Sequence, residues 1–535
     1  MTGTQPVDFD VIIVGSGPAG VSAAFPLVDA GLRVLMVDGG HGARLVPPTG
    51  QYLNVRNQDI GNYDWMIGQN FHALSQADAV SPKLRVPTHA AVFEGFVSAN
   101  RIVADNFVAV GSLAPGGLSN AWGCGVARMT DKELASFPLK PSEMYTSYAA
   151  VAKRIGVSGG YCDDLSDFFG LDEWSHGTVP IDNLQNSMLM RYTRSRSALM
   201  QSGFQLGRAR VAVLTTPQTQ TDRQACNLCG TCLWGCERRA LYSATDDLQR
   251  LHGRQGFFYR PGFLVEQVES QGNSVAISGV GTDGAGVLRA RRVLLAAGTL
   301  ASTRLALQAI NHRKLVAMQS CPTAAFMLWL PRHLGRRHEP AFGLGQLSFT
   351  LDLGADIQAF GSLFNTTGIP VSEFARHVPL GKRYGVDLLA SLLTSCVVGN
   401  LFLPGSLSNV SLQLDEDDQL LIWGGYSAEV EMLMKEARHK LRNSFIKLGA
   451  LLMPISFKVG RPGTDIHYAA SLPMSAKPVL GQTDQFGELM GTAGIHVVDG
   501  ASLSYLPAKS HTLTIMANAE RIATHVATNM VLIDN

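Results

Sequence analysis

Charge of either sign is scarce in this chain of 535 residues: Asp, Glu, Lys and Arg together make 16 %, and they balance to a formal net charge of +1. Without an excess of one sign there is no electrostatic footprint for nucleic acid or for an acidic partner. Cysteine is sparse too, eight in all, and four of the eight crowd between Cys226 and Cys236. That crowding points to metal ligation in a reducing compartment and away from a disulfide framework. The opening MTGTQPVD lacks the basic stretch of a signal peptide, so the expected location is the cytoplasm or the cytoplasmic face of a membrane. Internal repeats and low-complexity tracts are absent. One apolar run stands out, residues 384–403, with the single charge Asp387 and with Arg376, Lys382 and Arg383 before it. It is slightly short for a spanning helix of ~20 residues and contains Gly399 and Asn400. It reads either as a buried helix–strand segment or as a peripheral membrane contact or apolar entrance for substrate. The acidic run Asp415 to Asp418 reads as a solvated turn.

What the chain has in quantity is apolar surface and glycine: 46 % hydrophobic residues and 55 glycines. Its 57.4 kDa and mean hydropathy of +0.10 suit a large enzyme of two or three domains with a sizeable core. Glycine in this number is expected where backbone must approach a ligand closely.

The first motif is complete in its order. Residues 9–15 form an apolar run suited to a strand buried on both faces. Gly15-Ser16-Gly17-Pro18-Ala19-Gly20 follows as G-x-G-x-x-G, then a helical apolar pattern, then a second strand ending at Asp38. Gly15 allows the tight turn, Gly17 the approach of a pyrophosphate, and Gly20 the close packing of helix on strand. The helix N-terminus faces the anion, and Asp38 can accept from ribose hydroxyls. FAD is preferred over NAD because later segments resemble flavin contacts. Residues 292–299 form another buried strand ending Ala297-Gly298-Thr299. Residues 496–501 form a strand closing on Asp499 and Gly500, and a helical pattern starts at Thr512. A helix N-terminus there can stabilise charge at the pyrimidine end of a flavin.

These segments together resemble the glucose–methanol–choline (GMC) oxidoreductases, most strongly over residues 9–40, 115–128, 225–300 and 463–530. Gly116-Gly117-Leu118-Ser119-Asn120-Ala121-Trp122-Gly123 resembles the flavin-contacting segment of the pyranose-oxidase-like branch. The resemblance implies that Gly117, Asn120, Ala121, Trp122 and Gly123 touch the flavin, and Val265 the adenine end. Where that branch carries a flavin-linking histidine this chain has Ala121, so FAD is expected to be held noncovalently. The implied fold is α/β: a discontinuous Rossmann-type FAD-binding domain with an α+β substrate-binding domain. The expected boundaries are 1–310 for the main part of the FAD domain, including the cysteine-rich loop 225–240. Residues 311–462 then make the main part of the substrate domain, and 463–535 return to the FAD domain.

Alcohol oxidation needs a base for the hydroxyl proton, and histidine titrates near working pH. His467, in Asp465-Ile466-His467-Tyr468-Ala469-Ala470-Ser471, and His511, in Lys509-Ser510-His511-Thr512, resemble the two active-site positions of the family. His467 is expected to be the principal base and His511 the partner that orients the alcohol, although the two roles can be exchanged. His496 reads as a strand residue, and His41, His72 and His89 have no motif support. Cys226, Cys229, Cys232 and Cys236 have C-x2-C-x2-C-x3-C spacing, which resembles a ferredoxin run supplying thiolates to a 4Fe–4S cluster. A structural thiol loop or zinc are the alternatives. The expected reaction is FAD-dependent oxidation of an alcohol, a secondary hydroxyl of a sugar or glycoside, to a carbonyl. A dehydrogenase handing electrons to an acceptor protein is preferred over an oxygen-using oxidase. A lyase or binding protein that keeps FAD for structure is the reading from another class.

Overall fold

The structure is a computed structural model and describes residues 7–40, 42, 82–218, 221–336, 339–366, 381, 388–389 and 392–534. His41, His72, Arg376, Lys382 and Arg383 lie outside the described residues, as do 384–387 and 390–391 of the apolar run.

The strand Phe9–Val14 is fully buried from Val11 onward because it lies between two parallel neighbours. On one side Val11 pairs with Val34 of the strand Val34–Val37, which in turn pairs with Phe257–Arg260. On the other side Val14 pairs with Leu295 of the long strand Gly284–Leu295. Beyond Leu295 the sheet continues to Ile495–Val497. The result is a parallel sheet whose strands come from both ends of the chain, as the discontinuous nucleotide domain requires. The lower half of Gly284–Leu295 turns into an antiparallel meander with Ser274–Gly281 and Leu264–Gln271. Parallel strands need crossovers, and the helix Pro18–Asp29 supplies the first of them.

That helix packs its small residues against the C-terminal helix Thr512–Asp534, through Ala23, Ala519, Ile522 and Ala523 among others. Arg154, at the end of the helix Pro141–Ile155, fastens the stack. It donates to Asp247 at 3.0 Å, to Glu520 at 3.2 Å and to Ser22 Oγ at 2.7 Å. All three acceptors belong to different helices, so one guanidinium braces the domain.

A second sheet is antiparallel throughout. Its order is Leu451–Leu452, Thr323–Trp329, Cys396–Phe402, Gln358–Asn365, Gly345–Asp352 and Phe204–Arg208. Alternation divides its residues between two faces. Phe326, Leu347, Phe349, Leu363, Val397 and Leu401 pack beneath the helices Asn183–Gln201 and Val430–Lys447. Val398, Asn400, Phe402, Phe360, Ser362 and Phe364 face the opposite way and line the central cavity. The described part of the apolar run 384–403 therefore includes a central strand, and its hydrophobicity is accounted for by burial between two neighbours. Among the described residues no helix is long and apolar enough to cross a membrane.

A third sheet runs Tyr468–Ala469, Val316–Ser320, Val410–Leu414, Leu420–Trp423 and Ile102–Asp105. Its importance is local: Ser320 pairs with Tyr468, which carries Asp465 and His467 to the cavity beside Ser320 and Cys321.

Candidate active site

One cavity of about 490 Å³ runs from the glycine turn to the inner face of the second sheet. At its nucleotide end, Gly15 adopts a φ of +109°, and a Cβ there would stand 2.3 Å from the Ala296 carbonyl oxygen. Gly20 is closed even more tightly, since a Cβ would stand 1.9 Å from the Gly15 carbonyl oxygen. Gly17 is the reverse case: its nearest neighbour would be the Gly117 Cα at 4.0 Å, so the space before the turn is open to a ligand. No side chain caps the helix beginning at Pro18, which leaves its N-terminal N–H groups for an anion.

Asp38 lines the same end and is held by several donors. Ser16 Oγ donates to it, Tyr259 Oη donates at 2.7 Å, and the Gly40 N–H at 2.9 Å. Burial outweighs these bonds and raises the Asp38 carboxyl above the usual carboxylate range. Ser16 also accepts from the Gly116 N–H at 3.1 Å, which ties the turn to the loop 116–123. Val265, Ala297, Gly298, Gly117, Ala121, Trp122 and Gly123 all reach the cavity wall. Gly20 and Asn120 do not. Gly20 is spent on helix–strand packing. Asn120 turns its amide onto the Pro115 and Gly117 carbonyls at 2.7 and 3.0 Å and accepts from Ser243 Oγ at 2.9 Å. It braces the loop instead of lining the cavity, because the tight turn after Gly116 leaves those carbonyls needing donors.

At the other end Asp499 joins two elements. It accepts from the Gly298 N–H at 2.8 Å, from Ser302 Oγ at 2.5 Å and from the Ala501 N–H at 3.0 Å. Burial holds its carboxyl up at about 6. Gly500 and Thr512 stand beside it on the wall, and Thr512 opens the 23-residue helix Thr512–Asp534.

The two sequence-predicted histidines meet. The rings of His467 and His511 lie 4.9 Å apart, edge to face at 87°, although 43 residues separate them along the chain. Phe402 of the second sheet packs on His467 at 4.9 Å. His467 exposes 22 % of its side chain, so substrate can reach it from the cavity. Its Nδ1, like that of His511, is buried without a hydrogen-bond partner. The Asp465 carboxylate stands 3.9 Å from that Nδ1, too far for a hydrogen bond. Asp465 accepts instead from Ser320 Oγ at 2.9 Å and the Cys321 N–H at 2.8 Å. Between the two lies Ile466 with φ at +59°. A β-branched residue in left-handed backbone is strained, and here the strain turns Asp465 and His467 toward one place. Burial, then the charge of Lys83, push His467 down to about 4, whereas burial pushes Asp465 up to about 7. His511 is lowered by burial and by His467. Both imidazoles are neutral at pH 7 and able to accept a proton.

His511 is anchored by its neighbour. Lys509 Nζ donates to Glu133 at 2.7 Å and to the Phe168 carbonyl at 2.8 Å, which pins the segment before the last helix. His496 is a strand residue whose Nδ1 meets the Phe486 carbonyl at 3.1 Å, as the sequence led us to expect. Lys83 and Asp465 carried no motif of their own, and sequence reasoning missed both. The position of Asp465 two residues before His467 is the signal that could have found it.

The four cysteines of the loop stand beside the cavity, not in its wall, where their neighbour Leu233 lies. Cys226 Sγ accepts from the Leu228 N–H at 3.4 Å, and Cys232 Sγ from the Gly343 N–H at 3.4 Å. Burial, reinforced by the neighbouring thiols, raises Cys226 to about 11 and Cys232 further. Among the described residues, the set of three ligand atoms within 4.8 Å of one another is that of Cys321, Asp465 and His467.

The family description "FAD binding domain" matches residues 8–60, which contain the glycine turn and Asp38. Among solved structures the chain is similar to the pyridoxine 4-oxidase from Mesorbium loti, at 15 % identity and a TM-score of 0.58. That likeness covers 97 % of this chain and 99 % of the other. No curated protein matches. The chain thus carries an FAD-binding domain, and its mixed α/β fold is shared with that oxidase along nearly its whole length.

Proposed function

We propose that this chain is an FAD-dependent oxidoreductase that converts an alcohol to a carbonyl, with His467 and His511 as its catalytic residues. The observation that carries the reading is the meeting of two neutral, cavity-facing imidazoles in the same cavity as the nucleotide turn. Gly15, Gly17 and Asp38 would hold the ADP half of FAD, and Asp499, Gly500 and the helix start at Thr512 the flavin end. Bound FAD supplies the hydride acceptor. His467 takes the hydroxyl proton, His511 orients the oxygen and stabilises its developing charge, and the Phe402 and Trp122 side chains exclude water. A hydroxyl-rich substrate such as a sugar or glycoside finds polar groups on the sheet face at Ser362 and Asn400. The domain division near residues 310 and 462 belongs to the same proposal.

The low proton affinity of His467 sets a pH profile. A base held near 4 in place of the usual 6.5 is competent at all pH values above about 4. The acid limb of kcat/KM is expected near pH 4, and a limb at 6.5 would show that burial does not depress this histidine. The linkage has the matching sign: between pH 6.5 and 4 the unfolded chain binds the proton and the folded one does not, so stability is lost as pH falls through that window.

The cysteine loop is part of the proposal as well. Cys226, Cys229, Cys232 and Cys236 would hold a 4Fe–4S cluster, which supplies one-electron transfer to a separate acceptor protein. Two backbone N–H groups directed at sulfur, and the compact C-x2-C-x2-C-x3-C run, support a cluster over zinc. Iron and acid-labile sulfide near four atoms per chain are expected in anaerobically purified protein, and Cys232→Ser is expected to lose them. Protein free of iron that forms peroxide in step with substrate would favour an oxidase with a structural loop, the activity named for the similar fold.

A further inference from the structure

One cation on the cavity wall has no task in this chemistry. Lys83 stands in the short turn Pro82–Arg85, on a segment fastened to the cysteine loop. Thr88 Oγ1 donates to the Trp234 carbonyl at 2.8 Å, His89 Nε2 meets the Leu233 carbonyl at 2.7 Å, and Val86 packs on Leu233 and Trp234. The lysine is thus held over the cavity. A Cβ on Gly123 would stand 3.5 Å from its Nζ, so the ammonium lies against the backbone that follows Trp122. Among the described residues the one ionisable group that favours its charge is the Cys124 thiol, and no carboxylate is paired with it. Burial lowers Lys83 to about 8, which leaves it protonated at pH 6 to 7.

An ammonium withdrawn from water without a counter-anion is destabilised, and an anionic oxygen entering the cavity offsets this with a charge-assisted bond. After burial, the charge of Lys83 is also what depresses His467. The other titratable groups facing His467 are mostly uncharged at pH 6: burial lowers His511 and raises Asp465 and Cys321. The field at the base therefore depends on whether Lys83 is paired.

We propose that Lys83 is a specificity residue that selects alcohols bearing an anionic oxygen group, a carboxylate or phosphate, and that pairing with this group strengthens His467 as a base. The proposal rests on the reading of His467 as the base of an alcohol site. A neutral alcohol leaves the ammonium field unopposed, so discrimination appears in kcat as well as KM. Phe360, Phe364 and Phe402 line the same cavity, so an aromatic acid is a suitable probe.

The test uses FAD-loaded protein at pH 6 and two probe pairs. Benzoate and benzamide are titrated while the absorbance of bound flavin is followed. Benzoate is expected to bind about 10-fold to 100-fold more tightly, the worth of one charge-assisted bond, and Lys83→Met to abolish the preference. The substrates 4-(hydroxymethyl)benzoate and its amide are then compared. Lys83→Met is expected to raise KM for the acid by about tenfold or more, yet to quicken flavin reduction by the amide and move its acid limb upward from 4. No benzoate binding, or equal binding of benzoate and benzamide, overturns the proposal. So does equal loss on both alcohols with a shifted flavin potential, which would assign Lys83 to the flavin. A benzoate preference lost in Lys83→Met while no alcohol reduces the flavin would leave the anion site standing and remove the alcohol reading instead.

Discussion

His467→Ala is expected to slow anaerobic reduction of the bound flavin by alcohol about 10³-fold, equivalent to about 4 kcal/mol of barrier. The size follows from what is lost. With His467 gone, the imidazole left on the cavity wall is His511, whose affinity for a proton burial holds well below the usual value. His511→Ala is expected to cost about 10²-fold, the scale of one donor to a developing oxyanion. The double variant should be little worse than the first, because the two act on one proton and one oxygen. His467→Gln preserves volume next to Phe402, so a similar loss there, with unchanged thermal stability, separates chemistry from packing. The measurement is stopped-flow flavin absorbance under anaerobic conditions. A loss in KM alone would reassign the pair to binding.

The second large effect lies at the glycine turn. Gly20→Ala places a methyl group 1.9 Å from the Gly15 carbonyl oxygen, in a helix that cannot retreat from its strand. It is expected to lower stability by about 3 kcal/mol and to yield protein free of flavin. Gly17→Ala is the informative contrast. Its methyl group would enter open space, so the flavin-free variant should melt with the flavin-free parent while the flavin content of the purified protein falls. Equal flavin content in Gly17→Ala and the parent would mean that the nucleotide does not approach this turn. Equal stability of Gly20→Ala and the parent would contradict the packing account.

The nucleotide half was legible in the sequence because strand, glycines, helix and acid are contiguous, and each is dictated by local backbone demands. The two histidines were legible for a different reason: each sits in a short segment with a family resemblance. What could not be read was their environment. The orphaned Nδ1 of His467, the carboxyl of Asp465 beside it and the cation of Lys83 depend on three segments, each more than a hundred residues from the next. Their approach is set by strand pairing between Ser320 and Tyr468 and by the docking of residues 82–89 on the cysteine loop. Asn120 shows the same limit from the other side: the carbonyls exposed by the turn at Gly116 claim its side-chain amide, which the sequence of the segment does not reveal. The apolar run 384–403 was ambiguous because hydrophobicity alone does not distinguish a membrane face from a central strand, and Cys396–Phe402 has neighbours on both sides.

The account turns on whether alcohol and flavin exchange a hydride at the histidine pair. Anaerobic FAD-loaded protein is mixed with a panel of alcohols, acidic and neutral, and flavin absorbance and carbonyl product are recorded together. The expected result is bleaching with one carbonyl formed per flavin, retained in the parent and nearly abolished in both His467→Gln and His511→Ala. Full-rate bleaching in both variants, or a flavin that stays oxidised with every alcohol, would contradict it.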